Sequence, residues 1–199
     1  MKKTFLLSLI WSFIVMSISA QTITDQAAIK KEKTRFGIKA GGQIVTIRNF
    51  PGSSTRFPAL TAGVALTIPF LEDGASKFFI APELLYSQEG KDGPVKGRDF
   101  YNDYLVLPLM LKGYSEYKLF YIEIGPRVSY LIHQENRDTG YGEAEKWDVG
   151  LCVGGGVNIG GNNKFELGLR INWGLTNTYP DAPKRNNNNN LALTLAYFF

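Results

Sequence analysis

The sequence is poor in the residues that make disulfides and metal sites. Its 199 residues include one cysteine, Cys152, and one histidine, His133. A single cysteine excludes an internal disulfide. One cysteine and one histidine are too few for a transition-metal site. We therefore expect no metal, no cofactor and no covalent cross-link.

Two further absences narrow the class of protein. The chain has no long run of lysine and arginine, which argues against a nucleic-acid partner. After residue 34 no segment keeps helical periodicity for more than about two turns. Long helices are therefore not expected, whereas 21 glycines and 13% aromatic residues suit many short strands joined by turns.

The longest apolar run lies near the start of the chain and is short. Residues 1–20 begin with a basic pair, continue as an apolar run and end in small residues at Ala20. This order predicts a secretory signal peptide that is cut after Ala20, with an uncleaved membrane anchor as the alternative. Its removal lowers the formal net charge from +4 to +2. Residues 21–34 are then expected to be a flexible periplasmic lead-in.

Alternation of apolar and polar residues with a period of two recurs along the rest of the chain and indicates half-buried strands. Each segment is about long enough to cross a bilayer as a tilted strand. The segments are residues 35–48, 59–70, 77–88, 103–113, 118–131, 147–159, 164–176 and 189–199. Short and long links alternate between them, as in a barrel whose termini are periplasmic. The sequence predicts that residues 35–199 form an all-β, eight-stranded antiparallel transmembrane up-and-down β-barrel.

The two faces of the strands decide what surrounds this barrel. In segment 164–176 large apolar residues such as Phe165 and Trp173 share one face, and Glu166 and Arg170 share the other with glycines. Charges among small residues suit a cramped interior, so we expect the apolar face to meet lipid. A soluble barrel of the lipocalin type would need the reverse arrangement.

Two features depart from this pattern. Segment 103–113 is apolar on both faces. Pro82, Pro108 and Pro126 each lie where a closed barrel would use a backbone donor. We expect a local bulge at each of these prolines.

The inward faces carry a balanced set of charges, which must be paired in a low-dielectric interior. The predicted lumen ion-pair network consists of Lys39, Glu83, Lys112, Glu123, Arg127, Asp148, Glu166 and Arg170. In this hypothesis Glu83, Glu123 and Glu166 are bridged by Arg127, Arg170 and Lys112. Because an eight-stranded barrel is only wide enough for side chains to fill it, the network would plug the lumen. The alternative is a gate over a narrow ion path.

An enzymatic site needs a histidine beside a serine and a carboxylate. His133 is predicted at the top of the fifth strand, beside a long loop, and Ser129 lies about 13 Å away along an extended strand. We therefore expect a solvated His133, a small packing residue in Cys152, no catalytic residue and no enzyme.

The long links are rich in Asp, Asn and Gly, as in NTYPDAPKRNNNNN. Such composition is typical of mobile, hydrated loops, with a calcium site or a surface partner as alternatives. Aromatic residues near the segment ends predict interface girdles, with rim packing as the other interpretation. These residues are Tyr104, Tyr130, Trp147, Trp173 and Tyr197.

Four stretches resemble a known family: ELLYSQEG (83–90), YLVLPLMLKGY (104–114), YIEIGPRVSY (121–130) and WDVGLCVGGGV (147–157). They look like the outer-membrane β-barrel domain family common in Bacteroidota, whose members carry the labels porin family or PorT family. These members are similar in fold to the outer membrane proteins A and X. The resemblance implies eight antiparallel strands in the cell outer membrane and no enzyme activity.

The closing strand adds a second resemblance. Its alternating apolar residues and final aromatic resemble the signal read by the barrel-assembly machinery, although any closing strand could share the pattern. The residues are Leu193, Leu195, Tyr197 and Phe199. The expected partners are outer-membrane lipid, the assembly machinery during insertion and an unknown surface ligand at the loops, for a chain that is a monomer. Function is expected to be structural or surface-binding, with a narrow porin-like channel or an accessory of secretion or assembly as alternatives.

Overall fold

The computed structural model describes residues 33–50, 55–70, 78–92, 100–115, 118–136, 142–159 and 164–199. The predicted signal peptide lies outside these residues, as does all of the predicted lead-in except residues 33 and 34. Within the described ranges no helix is long and apolar enough to span a membrane.

Eight antiparallel strands form one closed barrel in which each strand pairs with the next and β8 pairs with β1. The strands are β1 (Arg35–Arg48), β2 (Arg56–Pro69), β3 (Phe78–Lys91), β4 (Phe100–Tyr114), β5 (Phe120–Asn136), β6 (Trp147–Ile159), β7 (Phe165–Gly174) and β8 (Asn187–Phe198). The predicted all-β, eight-stranded antiparallel fold is confirmed. We call the end at which β1 starts and β8 finishes the terminal end, and the opposite end the loop end.

Strands β3, β4 and β5 extend further toward the loop end than the sequence predicted. Gly90 pairs with Tyr101, and Tyr101 pairs with Glu135. The ladder therefore continues where the residues are polar on both faces, because backbone hydrogen bonds do not require apolar side chains. Hydrophobic alternation marks only the part of a strand that faces an apolar medium.

The predicted bulges at the prolines were wrong. Pro82, Pro108 and Pro126 lie in stretches of unbroken register. A proline lacks one donor, and in an antiparallel sheet that donor would have bonded to only one of its neighbours. The register shifts lie elsewhere, between Gln43 and Val45 and between Asp103 and Tyr104.

The outside of the barrel is apolar and the inside is largely polar. Along β8, Leu193 is 56% exposed on the outer face, whereas Ala192 and Ala196 are buried. The same alternation runs through β7, where Leu169 is exposed and Arg170 is buried. A continuous exposed apolar belt of this kind has no counterpart on an ordinary soluble monomer.

Candidate functional site

The lumen holds two groups of buried ionic side chains at different heights. The lower cluster, nearer the terminal end, consists of Lys39, Glu83, Lys112, Glu123, Glu166 and Arg170. The upper cluster, nearer the loop end, consists of Glu89, Arg127 and Asp148. All of these residues are at most 5% exposed.

Arg170 on β7 is the centre of the lower cluster. Its Nη1 and Nη2 donate to the two oxygens of Glu83 at 2.7 and 2.8 Å, and its Nε donates to Glu123 Oε1 at 2.7 Å. Lys39 Nζ adds a contact of 2.5 Å to Glu83. Charge-assisted, bidentate contacts of this kind are the strongest hydrogen bonds that side chains make.

Lys112 continues the lower cluster toward the terminal end. Its Nζ lies 2.5 Å from Glu166 and 3.8 Å from Glu123. Glu166 also accepts from the hydroxyl of Tyr114 at 2.5 Å, and Arg35 lies 3.6 Å from it. The three carboxylates of the lower cluster are thus matched by the charges of Lys39, Lys112 and Arg170.

Arg127 does not bridge Glu83, Glu123 or Glu166, and that part of the predicted network was wrong. Its Nη1 donates to Glu89 at 2.7 Å and its Nη2 donates to Asp148 at 2.8 Å. The reason is height: Arg127 lies on the same face of β5 as Glu123 but about 13 Å closer to the loop end. Its partners are the carboxylates at that level.

Glu89 is the functional residue that the sequence reasoning missed. It is 1% exposed and also accepts from Asn190 Nδ2 at 3.3 Å and Ser87 Oγ at 3.4 Å. The signal was available, since Glu89 has the same parity along β3 as Glu83. It was missed because the predicted third strand stopped at residue 88.

Two glycines make room for the buried groups. A Cβ on Gly150 would lie 2.9 Å from Arg127 Nε, and one on Gly168 would lie 2.4 Å from the hydroxyl of Tyr121. Contacts that short do not occur between non-bonded atoms of this kind. The glycines of β6 and β7 therefore let large side chains lie flat against the inner wall.

Between the two clusters lies a small cavity of about 20 Å³, lined in part by Ser87, Arg127 and Arg170. A single water molecule needs about 10–15 Å³ of such volume. The space between the clusters is therefore of the size of one water.

At the terminal end aromatic rings fill the lumen below the lower cluster. Phe79 and Tyr114 have ring centroids 5.2 Å apart, and Tyr114 and Tyr121 have centroids 5.7 Å apart. Lys112 Nζ lies 4.1 Å from the centroid of the Tyr121 ring, a cation–π contact. This layer joins the ionic interior to the terminal rim.

At the loop end a second apolar group covers the upper cluster. This loop-end cluster consists of Ile47, Phe50, Phe100, Ala144 and Tyr179. The rings of Phe50 and Phe100 lie 4.7 Å apart in an edge-to-face arrangement, and the Phe50 and Tyr179 rings lie 5.2 Å apart. The hydroxyl of Tyr179 is hydrogen-bonded to Asn102. Residues from three connections and from the rim of β4 thus meet over the lumen.

The connection 175–186 folds inward and is not the hydrated, mobile loop that its composition predicted. Asn186 is fully buried: its Oδ1 accepts from the backbone of Tyr179 at 2.9 Å and its Nδ2 donates to the carbonyl of Tyr179 at 2.9 Å. Thr178 and Glu145 are joined by a backbone hydrogen bond of 2.8 Å. The asparagines act here as local backbone partners.

The remaining predicted residues lie apart from one another. His133 is an exposed residue of β5 that pairs with Asp103, so its assignment to a loop was wrong, whereas Ser129 is buried. Cys152 is buried beside Ala81 and Met110. Within the described ranges no group of acidic, histidine and cysteine side chains is arranged to hold a metal ion.

The predicted girdle is only partly formed. Tyr130, Trp147 and Trp173 are exposed on the outer face, and Tyr197 is half-buried there. Tyr104 points into the lumen and is 1% exposed, so its assignment to the girdle was wrong. Even-numbered residues of β4 face inward, and an apolar pattern on both faces had concealed that orientation.

The residues of the predicted assembly signal lie on the outer face of β8 and just beyond it. Leu193, Leu195 and Phe199 are exposed, and the ring of Tyr197 lies 5.1 Å from that of Phe199. Phe199 stacks on Phe36 at 5.9 Å. These side chains belong to the apolar belt.

A closed antiparallel barrel with an apolar exterior and paired charges inside defines the class of transmembrane β-barrels of the outer membrane. The family model described as outer membrane protein beta-barrel domain matches residues 19–179. The chain belongs to this family, and its place is accordingly the outer membrane.

Solved structures agree in fold. Neisserial surface protein A is 12% identical, with a TM-score of 0.55 over 84% of this chain and 100% of that one. Ail, the attachment invasion locus protein of Yersinia pestis, is 10% identical, with a TM-score of 0.47 over 84% and 100%. OprG from Pseudomonas aeruginosa is 15% identical, with a TM-score of 0.44 over 86% and 99%. No curated protein matches the sequence.

Proposed function

We propose that the protein is a small outer-membrane barrel with a plugged lumen, whose role is structural or surface-binding and is carried out at its loop end. The observation that carries this proposal is the stacking of four layers across the lumen. These are the terminal aromatic layer, the lower cluster, the upper cluster and the loop-end cluster.

The energetics of the ionic layers favour a plug over a gate. Opening a path would separate buried ion pairs, and each uncompensated buried charge costs about 3–5 kcal/mol. Arg170 alone has three such hydrogen bonds. A gate of this kind would be closed nearly all the time.

Planar-bilayer recording of the refolded protein tests the plug. We expect no steady conductance steps above the lipid baseline. The matched comparison is a variant lacking the upper layers, Arg127→Ala with Tyr179→Ala, which removes side chains from the upper and loop-end clusters. Reproducible steps from the unmodified protein would overturn the plug in favour of a narrow porin-like channel.

The finer parts of the proposal rest on sequence. We infer a signal peptide cut after Ala20, a lead-in over residues 21–34, and membership of the Bacteroidota group labelled porin family or PorT family. Leu193, Leu195, Tyr197 and Phe199 are proposed as the signal for the barrel-assembly machinery. The protein is proposed to be a monomer without enzyme activity that meets lipid at its belt and an unknown surface ligand at its loops.

A further inference from the structure

A polar pocket lies on the outer side of the barrel, at the loop end, where β1 meets β8 and the start of the connection 175–186. We call it the rim pocket; it has a volume of about 280 Å³. Its lining residues are Arg48, Asn49, Leu175, Arg185 and Asn187. None of them belongs to the lumen clusters described above.

The register places this pocket just above the apolar belt. Ile44 pairs with Leu191, and both are exposed on the outer face. Further toward the loop end, Trp173 pairs with Asn189, and tryptophan is enriched where a membrane meets water.

The arginine of β1 comes next along the same strip. Arg48 pairs with Asn187, two positions beyond the level of Asn189 on β8 and about 7 Å further along the strand. The pocket therefore lies at the height of lipid headgroups.

Two arginines in this pocket have no acidic partner. Arg48 and Arg185 are both exposed, and neither forms an ion pair with any residue that the structure describes. This contrasts with the lumen, where Arg127 and Arg170 each pair with two carboxylates. Unpaired guanidinium groups at a membrane rim are available to an anion.

The walls of the pocket are fixed by hydrogen bonds to the backbone. Arg185 Nη2 donates to the carbonyl of Leu175 at 2.7 Å, which orients the guanidinium while leaving its other donors available. Asn187 Nδ2 donates to the carbonyl of Gly174 at 2.5 Å. Asn49 has a left-handed backbone, with φ of 58°, and its Nδ2 lies 3.5 Å from the carbonyl of Arg185.

We propose that the rim pocket binds a phosphate group on the headgroup of an outer-leaflet lipid, held by Arg48 and Arg185. Guanidinium groups match phosphate oxygens in a bidentate geometry. The volume is just below the range of about 300–1,000 Å³ typical of pockets for drug-sized ligands, so it suits a headgroup phosphate. Leu175, 49% exposed at the same place, offers an apolar contact to the chains beneath.

Native mass spectrometry of the detergent-solubilised full chain tests this site. The probe is diphosphoryl lipid A, compared with the same lipid after removal of its phosphates. We expect retention of the phosphorylated lipid only, and about 10- to 100-fold weaker retention in the variant Arg48→Ala with Arg185→Ala. The variant Arg48→Lys with Arg185→Lys, which keeps the charges but loses the fork geometry, should fall between the two.

Lys146→Ala is the control for a general loss of surface charge, because Lys146 is an exposed cation of the loop end outside the pocket lining. It should retain the lipid as the unmodified protein does. Equal retention by all variants, or equal loss in Lys146→Ala, would overturn the proposal. Inorganic phosphate that binds as tightly as the lipid would overturn the headgroup as the occupant.

The site rests on the membrane placement in the proposed function but not on the plug. A barrel that conducts ions can still retain the lipid, and a plugged barrel can fail to do so. Far-ultraviolet circular dichroism and unchanged electrophoretic mobility before boiling establish that each variant is folded.

Discussion

At the scale of single residues, Arg170 illustrates how a charge is kept inside a barrel. Its guanidinium donates to Glu83 and Glu123, and it lies against β6 at Gly154, where a Cβ would be 3.1 Å from Glu123 Oε1. The glycine and the arginine are therefore parts of one arrangement. A larger side chain at residue 154 would occupy the space of the carboxylate.

Replacing Arg170 by methionine should destabilise the protein strongly. The change keeps much of the side-chain volume but leaves one carboxylate of the lower cluster without a matching charge. We expect the free energy of unfolding to fall by about 3–5 kcal/mol. Urea unfolding in lipid vesicles, followed by the fluorescence of Trp147 and Trp173, measures this change.

The matched comparison is the double variant Arg170→Met with Glu123→Gln, which restores charge balance in the lower cluster. It should recover part of the lost stability, because the unpaired carboxylate has been removed. If the single variant unfolds at the same urea concentration as the unmodified protein, the ionic cluster does not stabilise the fold as described.

At the scale of elements, the connection 175–186 behaves as a folded part of the barrel. Asn186 holds its two ends together, and Tyr179 anchors it in the loop-end cluster. Exposed Lys184 and Arg185 lie between these anchors and are sites for trypsin. Cleavage there requires the connection to open first.

Asn186→Ala should accelerate trypsin cleavage of this connection by about tenfold. The substitution leaves the amide and carbonyl of Tyr179 without their partner, which raises the population of the open form. Cleavage sites and rates can be followed by mass spectrometry of the folded protein in vesicles. Asn189→Ala is the control, since Asn189 Oδ1 has no hydrogen-bond partner. Equal cleavage of both variants would refute the role given to Asn186.

The elements also explain what the sequence could and could not predict. β1 was predicted with its observed bounds because its alternation is unbroken from Arg35 to Arg48. β3 was cut short because Glu89 and Lys91 are polar residues that nevertheless face inward and are buried. Arg127 was placed on the correct face but given the wrong partners, because period-two reasoning fixes the face of a residue and not its height relative to other strands. The folded connection 175–186 depends on tertiary contacts that composition does not reveal.

At the scale of the whole molecule, the fold places its polar groups inside and its apolar groups outside. Leu107, Ile122 and Leu169, from three different strands, are each at least half exposed. In water such a surface would aggregate, whereas in a bilayer it is the solvent-matched face. Stability of the native state therefore depends on lipid or detergent, and boiling in detergent should change its mobility on gels.

A charge placed on the outer face should reveal the depth of the membrane. Leu193 lies near the middle of β8 and is 56% exposed, so an arginine there would have ample room in water but would face the bilayer core in a membrane. On lipid-facing strands such a change costs about 2–4 kcal/mol at the midplane and about 0–1 kcal/mol near the interface. Leu193→Arg should therefore lower the free energy of unfolding in vesicles, whereas Asn189→Arg, at the level of Trp173, should change it little. Equal and small effects at both positions would mean that the exposed leucines of β8 do not face lipid.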